Sequence, residues 1–305
     1  MQDIVILLQK ILPVFLVLML GVLLRKKAIV SREGINALKT VAVNIALPAV
    51  MINAFATAEY SLKSILVPSA IFIICVCALA IGFFACRFFK IAGRLSPYIS
   101  AGFEAGMLGY ALFAILFPDE PASSFAIIDL GQVLFVFTVY KILLAGKKGG
   151  MGAVREALSS PVVWGILIGL FLGATGLYSA MKPTGISDIL DAVTGFVSAP
   201  TSVLILLGIG YDLNPSEMQL KKVGALILLR LGVCALLLGV TLLIDKLILG
   251  GMMHAGAVIL MFVLPPPYVL PVFSDVESER ADISSTLSAL TMATLVLFAL
   301  LAVVM

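Results

Sequence analysis

The feature that most constrains this chain is a succession of about ten apolar runs, separated by short polar or charged segments. A helix needs about 20 residues to cross ~30 Å of hydrocarbon, and each run is long enough. A water-soluble fold could not bury them, because 62% of the residues are hydrophobic and 12% are charged, whereas soluble domains carry about 25% charged residues. The sequence therefore predicts an all-α polytopic membrane protein that contacts the lipid bilayer along most of its length. The ten predicted transmembrane helices are about 4–24, 36–56, 64–84, 99–117, 125–145, 161–180, 189–211, 222–244, 254–274 and 283–303.

Lysine and arginine are distributed unequally between alternate loops. Fifteen lie in or beside the loops after spans one, three, five, seven and nine, whereas the opposite loops carry three, Lys63, Lys182 and Lys246. Because loops rich in positive charge stay in the cytoplasm, this asymmetry predicts a multi-pass protein of the cell membrane, plasma or inner, with both termini extracytoplasmic. The net charge of +3 is not gathered into a stripe, which excludes a nucleic-acid partner.

Sequence landmarks recur about 155 residues apart, a distance of five spans. Pro48 in span two corresponds to Pro200 in span seven, and the glycine-rich stretch near Leu108 in span four corresponds to the prolines near Pro267 in span nine. Because five is odd, a second copy must enter the membrane from the opposite side, which predicts two inverted five-helix repeats. We assign residues 1–145 to the first repeat, 146–160 to a cytoplasmic linker and 161–305 to the second repeat.

Spans four and nine are predicted to be broken helices that cross at mid-membrane. Three consecutive prolines in span nine cannot continue a helix, and each glycine in span four weakens it by ~1 kcal/mol. Opened backbone is tolerated at membrane depth where it lines a cavity, so paired breaks indicate a substrate site. Polar residues beside the prolines of spans two and seven, and a tyrosine after each break, complete the candidate set. The predicted substrate-binding residues are Asn44, Glu104, Gly106, Gly109, Tyr110, Thr201, Ser202, Pro265, Pro266, Pro267 and Tyr268.

Several residues inside the spans have both a functional and a structural interpretation. Glu104 is costly to bury in hydrocarbon, which favours a site-lining or proton-coupling acid over a packing acid. Two roles fit Arg230 in span eight, a clamp on a substrate carboxylate or a counter-charge for Glu104, and both residues are predicted coupling residues. Gln132 in span five fits a helix contact as well as a site, and the hydroxyls of span seven fit a bond to a freed carbonyl as well as to substrate. The glycines that repeat every four residues on span six predict close helix contact. They are Gly165, Gly169 and Gly173.

Four short segments, in spans two, four, seven and nine, together resemble the auxin efflux carrier family. This family includes plant auxin exporters and bacterial malate or malonate permease-like proteins. The resemblance covers essentially the whole chain. It implies that spans four and nine cross, that spans one, two, six and seven form a scaffold, and that the other spans move in an elevator-like manner. The segments are 44–49, 104–109, 199–202 followed by Gly208 and Gly210, and 265–267.

We therefore predict a secondary active transporter of small organic anions, auxin-like or dicarboxylate, with an elevator-type alternating-access mechanism coupled to H⁺ or Na⁺. The alternatives are a sodium-coupled symporter or sodium/proton antiporter of similar fold, and a membrane sensor that does not transport. An enzyme is not expected, because the sequence has no His/Glu metal pair, nucleophile elbow or aspartate-rich phosphate motif. No cofactor or metal is predicted, and a homodimer is left open.

Overall fold

The structure is a computed structural model that describes residues 2–58, 60–145, 159–212, 220–268, 270 and 279–304. All regular secondary structure in this part of the chain is helical. Of the predicted linker, residues 146–158 lie outside the described residues. The main helices are α1 (Gln2–Lys26), α2 (Arg32–Ala56), α3 (Leu62–Phe88), α4 (Tyr110–Leu116), α5 (Ala122–Leu144), α6 (Pro161–Ala174), α7 (Ile186–Asp212), α8 (Leu220–Ile244), α9 (Ala255–Val263) and α10 (Arg280–Val304).

Six of the described helices, α2, α3, α5, α7, α8 and α10, are long and apolar enough to cross a membrane. A seventh span results if α6 is joined to the segment Leu177–Thr184, which follows it at a bend of 71°. Helical structure occurs in all ten predicted intervals, but α4 and α9 are short because non-helical backbone interrupts their intervals. The all-helical membrane architecture is therefore confirmed, whereas ten spans in two inverted repeats stay a prediction.

The helices pack in two groups. In the first group, α1 lies along the second half of α7, and α2 lies along α6. In the second group, α3 packs against α5 and α8, and α8 also contacts α9 and α10. The close contact of α2 with α6 needs glycine, because a Cβ atom at Gly169 would lie 2.7 Å from Cβ of Phe55 and 2.8 Å from the carbonyl oxygen of Ile52. The predicted role of the span-six glycines in close helix contact is confirmed.

Candidate functional site

The break in span four begins earlier than the sequence suggested. A 3₁₀ turn at Ser96–Ser100 is followed by non-helical backbone at residues 101–104, and a π-helical turn at Ala105–Gly109 leads into α4. The predicted position near Leu108 was wrong by several residues because Gly102, with φ of +70°, takes the chain out of the helix. This left-handed conformation favours glycine, and a Cβ atom there would also lie 2.8 Å from Cγ of Pro267. Glu104 therefore lies within the opened backbone.

The break in span nine begins where α9 ends, and residues 264–267 are non-helical. The two breaks contact each other directly. The backbone amide of Glu104 donates a hydrogen bond to the carbonyl oxygen of Pro265 at 2.8 Å, and the amide of Tyr268 donates to Oε2 of Glu104 at 2.6 Å. Backbone groups that lost helical partners are thus satisfied across the contact, which is what opened backbone inside a membrane protein requires.

A cavity of about 270 Å³ lies beside this contact, between the two helix groups. One wall comes from α2 and α6 and is largely apolar. The opposite wall comes from α5 and the two breaks and carries most of the polar groups. The polar side chains that line the cavity are Glu104, Asp129, Gln132, Lys141 and Ser160.

Most of the predicted site residues lie on or next to the two breaks. Glu104, Gly106 and Pro267 line the cavity, and Gly109 approaches Leu264 of span nine. The predicted residues that the structure brings together in this way are Glu104, Gly106, Gly109, Tyr110, Pro265, Pro266, Pro267 and Tyr268.

Three predicted residues, on α2 and α7, belong to neither break, and none of them lines the cavity. Asn44 is exposed on α2. The hydroxyl of Thr201 donates to the carbonyl oxygen of Ser198 at 2.5 Å, which matches the structural interpretation, a bond to backbone of its own helix. Ser202 follows on the same helix and is half-buried.

Arg230 lies behind the contact of the two breaks. Its side chain is 2% exposed, and its guanidinium donates to the carbonyl oxygens of Ile99 at 3.2 Å and Leu264 at 3.0 Å. It also lies 4.8 Å from the centre of the Phe103 ring. Arg230 is not one of the described cavity-lining residues. Arg230 thus holds the backbone next to both breaks by hydrogen bonds, because a planar guanidinium can donate to two acceptors at once.

Sequence reasoning missed two charged residues of the cavity. Asp129 accepts hydrogen bonds from the hydroxyl of Tyr110 and from Nε2 of Gln132, both at 3.1 Å. Gln132 accepts in turn from the amide of Phe103 at 3.3 Å, so it belongs to the site. An acid inside an apolar run was the available signal for Asp129. Lys141 is one of the fifteen basic residues that the charge count assigns to the cytoplasmic side, yet it is buried and lines the cavity.

A second cavity, of about 350 Å³, meets α5 near its beginning. Residues 123–128 of α5 contribute to this cavity, whereas residues 129–141 contribute to the first. Its polar lining includes Thr57, Ser123, Ser124 and His254. The two cavities therefore follow each other along one helix.

Comparison with known proteins gives two matches. Residues 6–154 match the family model described as "Membrane transport protein". A protein from Methanothermobacter thermautotrophicus, described as an uncharacterized transporter, is 27% identical over 217 residues, which cover 68% of this chain and 68% of that protein. The matches confirm the family resemblance predicted from the sequence.

Proposed function

Because this chain is a membrane transporter of the auxin efflux carrier family and not an enzyme, we propose that it moves small organic anions, auxin-like or dicarboxylate, as a secondary active transporter. The observation that carries the proposal is the cavity of about 270 Å³ beside the contact of the two breaks. An apolar wall faced by a few convergent polar groups is typical of a small-molecule site. In many transporters the substrate binds where transmembrane helices are interrupted and their backbone is open.

Lys141 provides the positive charge that an anion needs in this cavity. It is 3% exposed and lines the cavity. A charge interacts more strongly in such a low-dielectric environment than in water. Arg230 adds positive potential from behind Phe103 without lining the cavity. Glu104 contributes both as a lining acid and as the residue that joins the two breaks.

The arrangement of helices favours an elevator-type mechanism. The cavities lie at successive stretches of α5; the first also has lining residues from α2, and the second is lined by Thr57, the residue directly after α2. Movement of the group containing α5 relative to the group containing α2 would close one cavity while opening the other. Alternating access by movement of one bundle against another is common among transporters built from inverted repeats.

The family match supports the proposed division of the chain. It covers residues 6–154, which coincide with the proposed first repeat and part of the linker. We assign 161–305 to a second, inverted repeat, giving ten spans in the cell membrane with both termini extracytoplasmic.

Transport by the purified protein in proteoliposomes tests the function. We expect saturable uptake and counterflow of at least one labelled anion among malate, malonate and indole-3-acetate, measured against protein-free liposomes. Separate pH and Na⁺ gradients identify the coupling ion, and dependence on Na⁺ alone would favour the sodium-coupled alternative. A folded protein that exchanges none of these anions would contradict the proposal.

A further inference from the structure

We propose that Asp129 is a proton-binding site, so that the substrate anion crosses the membrane together with a proton on the Asp129 carboxyl group. The anion in this inference rests on the proposed function. The proton site rests on contacts of Asp129 that the proposed function does not use.

Asp129 is a buried acid without a cationic partner in the described part of the chain. Its side chain is 1% exposed and lines the cavity, and no ion pair of the described residues includes it. A buried carboxylate that lacks a cation is costly in its charged form. Acids inside membrane spans commonly mark ion or proton pathways. The cavity provides the route by which a proton can reach this one.

The hydrogen bonds of Asp129 can accommodate both protonation states. Tyr110 donates its hydroxyl to Oδ2, and Gln132 donates its amide to Oδ1. A hydroxyl group can either donate or accept. Tyr110 therefore donates to the ionised carboxylate and can accept from the protonated acid, so that Asp129 keeps this partner throughout a cycle.

Glu104 has a partner of a different kind. The amide of Tyr268 can only donate, and it donates to Oε2 of Glu104. Hydrogen bonds from fixed donors favour the charged form of a carboxyl group. Protonation of Glu104 would weaken a bond that joins the two breaks. Protonation of Asp129 would weaken the bond from Gln132 and reverse the bond with Tyr110, but it involves no bond between the two breaks. The contacts therefore favour Asp129 as the residue that takes the proton.

The charges of the cavity link protonation to anion binding. When both acids are ionised, two carboxylates, Glu104 and Asp129, face one ammonium group, Lys141, on the cavity lining. Each ionised carboxylate on this lining opposes the entry of an anion. A proton on Asp129 removes one of these negative charges, so that Lys141 on the lining and Arg230 behind it attract an anion more strongly. Gln132 also connects Asp129 to the opened backbone, because it accepts a hydrogen bond from the amide of Phe103.

Several other titratable groups lie around Asp129. Tyr110 faces it from α4 and Cys75 from α3, and phenols and thiols are ordinarily neutral at pH 7. Lys141 lies on the same helix, and Arg230 lies on α8. The segments of α2 and α9 that pack on α5, Leu47–Ala56 and Ala255–Val263, contain no titratable residue. His254 precedes α9 and lies 3.9 Å from Glu120.

Infrared difference spectra of the full-length protein in liposomes, without substrate, test the proton site directly. Acidification should produce a C=O band of a protonated carboxyl group in wild type and in Glu104→Gln, and this band should be missing in Asp129→Asn. Tyr110→Phe should keep the band but shift its midpoint, because the variant removes a hydroxyl group that hydrogen-bonds to the Asp129 carboxyl group. A band that persists in Asp129→Asn, or that is lost only in Glu104→Gln, would overturn the proposal. If Asp129→Asn does not fold, an unmoved midpoint in Tyr110→Phe overturns it.

Transport with malate as the probe tests coupling, with the membrane potential clamped at zero. A gradient of one pH unit should drive up to about tenfold accumulation per coupled proton in wild type. Asp129→Asn should not accumulate malate, so that its accumulation ratio stays near one whatever its rate of counterflow. The inference is contradicted if Asp129→Asn accumulates malate to the wild-type level in response to the pH gradient. It is also contradicted if accumulation depends only on a Na⁺ gradient. Absence of counterflow for every tested anion in wild type would instead contradict the proposed function, and the infrared result would still decide the proton site.

Discussion

The backbone amide of Tyr268 donates a hydrogen bond to the carboxylate of Glu104 at 2.6 Å, across 164 positions of the sequence. Both residues lie in stretches where a helix is interrupted. The bond therefore joins the two breaks through a side chain, and the amide of Glu104 joins them a second time through the carbonyl of Pro265. Five predictions follow from this site, its supporting packing and the charges of the loops.

Replacement of Glu104 should destabilise the crossing of the two breaks. Glu104→Ala leaves the amide of the half-buried Tyr268 without its acceptor, at a cost of about 1–3 kcal/mol. Glu104→Gln keeps an oxygen acceptor and should cost less. Thermal unfolding in detergent measures both variants, with Glu33→Ala on an exposed part of α2 as the control. Equal midpoints for wild type and Glu104→Ala would show that the bond contributes nothing to stability.

Pro266→Ala should abolish transport while leaving a folded, membrane-inserted protein. Alanine restores a backbone donor and removes the steric obstacle to helix, so the span-nine break can begin to close. Uptake in proteoliposomes and elution from a sizing column measure the two effects. Pro13→Ala, within α1 and exposed, is the matched control and should keep transport. Unchanged kinetics in Pro266→Ala would remove the triple proline from the site.

Lys141→Met should raise the KM for the transported anion more than it lowers the maximal rate. Loss of a charge-assisted bond costs about 1.5–3 kcal/mol, or roughly a ten- to hundred-fold weaker affinity. Lys141→Arg keeps the charge and should retain part of the affinity. Concentration-dependent uptake measures all three proteins. A KM that is the same in wild type and Lys141→Met would show that this ammonium does not bind substrate.

Gly169→Leu should destabilise the contact between α2 and α6. Even a Cβ atom there would lie 2.7 Å from Phe55 and 2.8 Å from the carbonyl oxygen of Ile52, so the two helices must separate. The matched control is Gly195→Ala on α7, where no neighbouring atom lies within 4 Å of an added Cβ. That control should stabilise its helix by up to ~1 kcal/mol. The thermal unfolding midpoint should fall in Gly169→Leu and rise in Gly195→Ala. A Gly169→Leu protein as stable as wild type would contradict the close contact of α2 and α6.

The loop charges predict that both termini are extracytoplasmic. In a background without Cys75, Cys77, Cys86 and Cys234, a cysteine introduced by Ser61→Cys or Lys182→Cys should react with an impermeant maleimide outside intact cells. Lys148→Cys should react only after the cells are opened. The reverse pattern would invert the topology.

The amino-acid sequence by itself determined the membrane helices, the break in span nine and the close helix contact of span six. Long apolar runs require a membrane and helices, because unpaired backbone is too costly in hydrocarbon. Three consecutive prolines require a break wherever they stand, because they lack the amide hydrogen. The glycines of span six, at intervals of one helical turn, mark a close contact that needs no knowledge of the partner. These features depend on covalent structure or on spacing within one helix, so the sequence alone could predict them.

Tertiary contacts decided the rest. Several glycines of span four were equivalent locally, and only the structure shows that the chain turns at Gly102, where Pro267 leaves no room for a Cβ atom. From the sequence, Arg230 could have bound a substrate carboxylate or neutralised Glu104, whereas in the structure its guanidinium donates to carbonyl groups of two distant segments. Lys141 had the sequence position of a loop charge, but packing buries it beside Asp129 and Glu104 in one cavity. Which charged groups share a low-dielectric space depends on residues far apart in the chain, and no local pattern in the sequence specifies that arrangement.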